Sequence, residues 1–265
     1  MSSHIINAGH VVHGYDIDPN QMSSFKGDKA GSIADVVEHC DIVLLSLPTA
    51  AALVEVTDQL VNADPSGVIV VEMGTLSLDD KLAARARLTE AGAIMLDAPV
   101  SGTGLQAADG TLVVYCSGPS AAYARVSPFF DLIGQKSYDL GEFGNGSRMK
   151  FIANLLVTVH TLATAEAHGL GTAAGLDPQV VQEVISAGVG SSKIFDIRGP
   201  MVVASTYEPP SARLAIIAKD AGIIADFARS TGAVTPLLDA AIPLYEQGRA
   251  AGIGDLDAAA LRLLL

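Results

Sequence analysis

Short apolar runs alternate with amphipathic stretches through the first 140 residues. Val11–Asp16 reads as a strand and Ser32–Cys40 as a helix, with Ser32 placed to cap it. Ile42–Leu47 is an apolar strand stopped by Pro48, and Ala50–Leu60 is helical. Val68–Met73 is a strand, and Ser77–Ala91 is a helix with Asp79 and Asp80 in its first turn. Ile94–Ala98 and Leu112–Ser117 are further strands. Continuous apolar strands separated by helices imply a parallel sheet covered on both faces.

After Gly141 the texture changes. Gly144-Asn145-Gly146-Ser147 is a breaker cluster, and a helical period then runs from about Arg148 to Ala174, with Ile152, Leu155, Leu156, Val159 and Leu162 on its apolar stripe. Asp177-Pro178 reads as a cap followed by proline at the first helical position. Ser211–Ser230 and Pro236–Ala250 are helical as well, and strand patterns are absent. The expected organisation is an α/β domain over residues 1–144 and an all-α domain over residues 145–265.

Composition narrows the functional classes. The 265 residues are 49% apolar and 17% charged, with a net charge of −13. Such an acidic total repels nucleic acid and anionic lipid, so neither is an expected partner. Cys40 and Cys116 are far apart, and His10 and His13 have no third ligand nearby, so no disulfide framework or metal site is expected. No apolar run reaches the ~18 residues that span a bilayer, and the N-terminus has no secretion-signal pattern. The expected location is the cytoplasm.

Three segments carry chemistry. In Asp97-Ala98-Pro99-Val100-Ser101-Gly102-Thr103-Gly104, small residues follow the carboxyl end of a strand, where open α/β sheets bind ligands. In the helix after Gly144, Lys150 and Asn154 are four apart and project from one face. Lys219, in Ala218-Lys219-Asp220-Ala221-Gly222, is a lone cation in an apolar helix.

Together these segments closely resemble the 3-hydroxyisobutyrate dehydrogenase family, β-hydroxyacid dehydrogenases related to 6-phosphogluconate dehydrogenase. The likeness runs from Ala8-Gly9-His10 to the final helix. It implies a Rossmann-like domain followed by a helical substrate and dimerisation domain, with NAD or NADP as cofactor. It also implies a small hydroxyacid substrate and a homodimer or homotetramer. By the same resemblance, Lys150 is the catalytic lysine that exchanges a proton with the substrate hydroxyl. Asn154 orients the substrate oxygen, and Ser101, Gly102 and Thr103 hold its carboxylate. Leu47, Pro48 and Thr75 border the cofactor, Lys219 lines the cleft beside it, and Asp16 accepts hydrogen bonds from the adenosine ribose.

The chemistry suits these residues. A lysine near its unperturbed pKa of ~10.4 is a poor base at neutral pH, and burial together with a second cation such as Lys219 would lower it. Asp16-Ile17-Asp18 is acidic and has no arginine for a 2′-phosphate, which favours NAD. The apolar C-terminal leucines, Leu261 and Leu263 to Leu265, favour self-association.

Two features depart from the family. Thr103 stands where a second glycine is usual, either narrowing the carboxylate pocket or adding a hydroxyl donor. Met1 falls inside the helix that follows the family's first strand and G-x-G-x-x-G loop, and no substitute loop occurs later. The expectation is a chain truncated before that loop, with a gap between the strands Val11–Asp16 and Ile42–Leu47. The alternative function is a non-catalytic scaffold of the same fold.

Overall fold

The computed structural model describes residues 1–265. The chain forms two compact units, Met1–Lys150 and Phe151–Leu265.

The first unit opens with α1 (Ser2–Asn7), β1 (His13–Gly14), α2 (Pro19–Ser24) and β2 (Asp28–Lys29). It continues as α3 (Ile33–His39), β3 (Ile42–Leu45), α4 (Ala50–Asn62), β4 (Ile69–Glu72), α5 (Leu78–Glu90) and β5 (Ile94–Asp97). Then come β6 (Val100–Ser101), α6 (Gly104–Asp109), β7 (Leu112–Cys116), α7 (Ser120–Ile133) and β8 (Gly134–Asp139). Strands β3, β4 and β5 pair in parallel. An antiparallel bridge between Asp97 and Ser117 carries the layer on to β7, which pairs antiparallel with β6 and parallel with β8.

Local sequence explains much of this. Ser32, Thr49 and Ser77 each accept a bond from the backbone three residues on, starting α3, α4 and α5. All four residues of β4 are buried, and their side chains alternate between two cores. Val70 packs with Leu53, Leu60, Leu88 and Met95, whereas Ile69 and Val71 pack with Leu96, Val114, Val126 and Phe130.

The start of the chain differs from the sequence expectation. Only His13 and Gly14 of the anticipated first strand pair, and their partners are Asp28 and Lys29 of β2. The β1–β2 ribbon is a sheet of its own, so the two strands flanking the expected gap do not close it by pairing with each other.

Helix α8 (Asn145–Ala173) runs out of the first unit into the second. The second unit adds α9 (Pro178–Ser186), α10 (Lys193–Ala204), α11 (Leu214–Thr231), α12 (Pro236–Ala250) and a 3-10 turn, Ala258–Leu264. The sequence pattern did not reveal α10, because Gly199 and Pro200 interrupt it. Gly199 is there because a Cβ would collide with the Gln182 side chain. Leu162, Leu214, Ile217, Tyr245 and Leu261 form the core of this unit. Buried Arg198 pairs with Asp257 at 3.3 Å and also donates to Thr161. Leu261 is buried and Leu264 packs against the same core, so the C-terminal leucines are only partly available for self-association.

His168 on α8 is buried, stacked on Phe195 at 5.3 Å and bonded through Nε2 to Gln182 Oε1 at 3.0 Å. Burial lowers its pKa. The unfolded chain therefore takes up this proton near the ordinary value of about 6.5, while the folded chain does so only at lower pH. Stability from this group is complete above that value and is lost as pH falls below it. Urea unfolding between pH 8 and 5 should show the loss, and His168→Asn should lessen it; an equal loss in the variant would contradict the assignment.

Candidate active site

The predicted cofactor positions follow the carboxyl ends of parallel strands. Asp16 follows β1, Leu47 and Pro48 follow β3, and Thr75 follows β4. Leu45 pairs with Glu72, and Met73 N donates to Leu45 O at 2.9 Å, so the exits of β3 and β4 lie side by side. Gly74 permits this approach, since a Cβ there would stand 2.8 Å from the Leu47 carbonyl. Thr75 does not cap α5; Ser77 does. Asp16 is exposed and its Oδ1 accepts from Asp18 N at 2.8 Å. It lines a cavity of about 320 Å³ together with Gly14, Tyr15, Phe25 and Lys26. Lys26, which was not anticipated from sequence, adds a cation to the lining of the same cavity.

Beneath Thr75 lies a charged cluster without solvent contact. Lys81 on α5 reaches Glu72 Oε2 at 2.5 Å, Asp97 Oδ1 at 2.8 Å and the Gly74 carbonyl at 2.8 Å, and all three side chains are 0% exposed. Burial pulls the Lys81 pKa down, but Asp97 and Glu72 outweigh it and hold the ammonium above its ordinary value. Burial also pushes the Glu72 carboxyl up, only partly offset by Lys81 and the Gly74 N–H. Two carboxylates share one ammonium.

Asp97 also starts α8. Its Oδ2 accepts from Ser147 N at 2.7 Å and its Oδ1 from Ser147 Oγ at 2.8 Å, while Ser117 Oγ accepts from Gly146 N at 2.9 Å. A carboxylate at a helix N-terminus satisfies open N–H groups and complements the helix dipole. That is why the helix begins at Asn145, inside a cluster that local sequence reads as a breaker. Gly146 is required because a Cβ would stand 2.7 Å from the Asp97 carbonyl. Gly146→Ala should therefore destabilise the protein by about 1–3 kcal/mol despite alanine's higher helix propensity, as read by urea denaturation. An unchanged midpoint would show that the turn yields freely.

Lys150, one turn beyond Ser147, is half-buried. Asn154 follows it by four residues on the same helix and is buried. Asn154 Nδ2 donates to Asp220 Oδ2 at 2.8 Å, and Lys219 Nζ lies 3.0 Å from Asp220 Oδ1. Asp220 thus orients the amide and balances the Lys219 charge. Lys219, read from sequence as a lone cation in its helix, is thus paired with its neighbour Asp220.

Ser101 ends β6, four residues after Asp97. Gly102 has a φ of +137°, where glycine alone is comfortable, and a Cβ would press on Leu112 at 2.7 Å. Thr103 caps α6, donating through N and Oγ1 to Gln106 Oε1 at 2.8 and 2.6 Å. Both of its donors are engaged within the cap of α6, so of the two alternatives raised from sequence the free hydroxyl donor is not seen here. Cys116 is inert here, its thiol pushed up by burial to about 12.

Residues 1–141 match the family model for the NAD binding domain of 6-phosphogluconate dehydrogenase. Residues 144–265 match the model for the NAD-binding region of NADP-dependent 3-hydroxyisobutyrate dehydrogenase. The chain belongs to the 3-hydroxyisobutyrate dehydrogenase family. It is 34% identical to the L-threonate dehydrogenase of Cupriavidus necator, covering 98% of this chain and 90% of that one. It is 28% identical to the chloroplastic glyoxylate/succinic semialdehyde reductase 2 of Arabidopsis thaliana, covering 98% and 74%. The crystal structure of 3-hydroxyisobutyrate dehydrogenase from Salmonella typhimurium superposes with a TM-score of 0.89 at 30% identity, covering 99% and 94%. Family membership makes this chain an NAD(P)-dependent oxidoreductase of the hydroxyacid dehydrogenase class. No helix is long and apolar enough to cross a membrane.

The residues present are compatible with such a cofactor: Asp16 offers a carboxylate acceptor for ribose hydroxyls in the lining of the cavity, and Gly74 allows close approach to the Leu47 carbonyl at the exits of β3 and β4.

Proposed function

We propose that this protein interconverts a short hydroxyacid, of the 3-hydroxyisobutyrate or threonate type, and the corresponding carbonyl acid, with Lys150 exchanging the proton. The observation that carries this reading is the placement of Lys150 and Asn154 one turn apart on α8, whose start is fastened by Asp97 and Ser117. A bound nicotinamide nucleotide supplies or accepts the hydride. Asp16 would hold the adenosine ribose, with Leu47, Pro48, Thr75 and Lys219 bordering the remainder.

Lys150 takes the hydroxyl proton during oxidation and returns it during reduction. Asn154, its amide held by Asp220, presents its remaining polar atoms to the substrate oxygen. Ser101 and Gly102 receive the carboxylate. Relatives named for L-threonate and for 2-hydroxy-3-oxopropionate favour a small, hydroxylated acid. Asp16 favours NAD over NADP by repelling a 2′-phosphate, and Lys26 in the same cavity lining lessens that repulsion. Self-association belongs to the same proposal: Leu170, Leu176, Val180 and Val184 are large, exposed and close in sequence.

Reduction of NAD⁺ or NADP⁺ by the purified chain with L-threonate and 3-hydroxyisobutyrate, followed by absorbance, tests the assignment. Turnover with at least one acid is expected; none with either would sink it. The separate β1–β2 ribbon favours a second reading, a scaffold that binds no nucleotide. Calorimetric titration with NADH decides between them, with micromolar binding expected for the enzyme and no heat for the scaffold.

A further inference from the structure

None of Glu72, Lys81 and Asp97 is itself assigned to substrate or cofactor, yet the cluster is bonded to the Gly74 main chain beside Thr75 and to Ser147 at the start of α8. The Lys81 ammonium donates to Gly74 O and Asp97 Oδ1, and its charge lies against Glu72 Oε2 as an ion pair. Gly74 O belongs to the turn that presents Thr75. Asp97 receives both the backbone and the hydroxyl of Ser147, in the first turn of α8. A carboxylate bonded on both oxygens to the helix and also to a buried cation cannot rotate. Apolar side chains of similar volume would fill this space as stably. They could not direct bonds at main-chain atoms.

We propose that Lys81 is a positioning residue for Lys150: it clamps Asp97, Asp97 fixes the first turn of α8, and Lys150 stands one turn along. The same ammonium ties the Gly74–Thr75 turn to that clamp, so one side chain sets the spacing between the cofactor-bordering turn and the proton-exchanging lysine. This inference rests on the assignment of Lys150 made above.

The test separates positioning from stability. The double variant Lys81→Met with Glu72→Met replaces the ion pair by apolar side chains of similar length and is expected to fold. Its kcat should fall about ten- to a hundredfold, because small misplacements of a reacting group cost that much. The KM for the hydroxyacid should change less than about twofold, since the residues that hold the acid are untouched. Amide exchange at Gly146 and Ser147 should quicken about tenfold as the cap loosens. A stable double variant with wild-type kcat and wild-type exchange at these amides would overturn the proposal. If the double variant does not fold, Ser147→Ala keeps every buried charge and removes one bond to Asp97. Faster exchange at Gly146 with reduced kcat supports the clamp, and wild-type values of both refute it. Should Lys150→Ala retain full turnover, the functional assignment falls, and the exchange measurements still decide whether Lys81 holds the helix.

Discussion

Replacing Lys150 with alanine is expected to lower kcat by about 10²- to 10⁴-fold, the usual contribution of a positioned acid–base group. The fold should persist, because alanine suits a helix interior and the side chain is only half-buried. KM for the acid should change little, since Ser101, Gly102 and Asn154 remain. Circular dichroism and thermal unfolding of the variant would establish that it is folded, and steady-state kinetics would give the loss. A folded variant with wild-type kcat would remove Lys150 from the chemistry and turn attention to Lys219, the other lysine in the predicted set.

The second large effect concerns stability. Lys81→Met leaves two carboxylates, both 0% exposed, without their shared cation. Removing one partner from a buried ionic cluster costs about 3–5 kcal/mol. The loss also has a sign with pH. The folded pKa of Glu72 is already raised by burial, and without Lys81 it rises further. A raised carboxyl pKa means the folded state binds more protons than the unfolded one, so stability falls as pH rises above the unfolded value near 4.3. The deficit of the variant against wild type should therefore widen between pH 5 and 8, by up to about 1.4 kcal/mol per unit. Chemical denaturation at several pH values reads this directly. A constant deficit below about 1 kcal/mol would show that water or a rearranged side chain replaces the cation.

These variants address different layers of one arrangement. Lys150 would act on the substrate, whereas Lys81 acts on the residue that starts the helix under Lys150. The first should lower turnover with stability intact. The second should lower stability in a pH-dependent way, and the double variant, which leaves Asp97 as the single buried carboxylate, should lose less stability while turnover stays low.

Local patterns were legible along the chain wherever a neighbour within four residues decides the conformation. Ser32 as a cap, the helix beginning at Ser77, Asp177-Pro178 at the start of α9, and the run from Pro236 to Ala250 were all apparent from spacing alone. The spacing of Lys150 and Asn154 follows from helix geometry and needs no tertiary information. The same local logic misjudged Gly144–Ser147, because glycines without a nearby cap read as an interruption. Their acceptors, Asp97 and Ser117, lie 50 and 29 residues away from the groups they receive. Asp220, which sets the Asn154 amide, is 66 residues distant, and nothing local to Lys81 marks it as the wholly buried lysine that it is. Periodicity and capping are properties of a short stretch of backbone and can be read from it. Which charge meets which across the sheet depends on how the strands and helices pack, and that was settled only when β4, β5, β7 and α8 came together around Asp97.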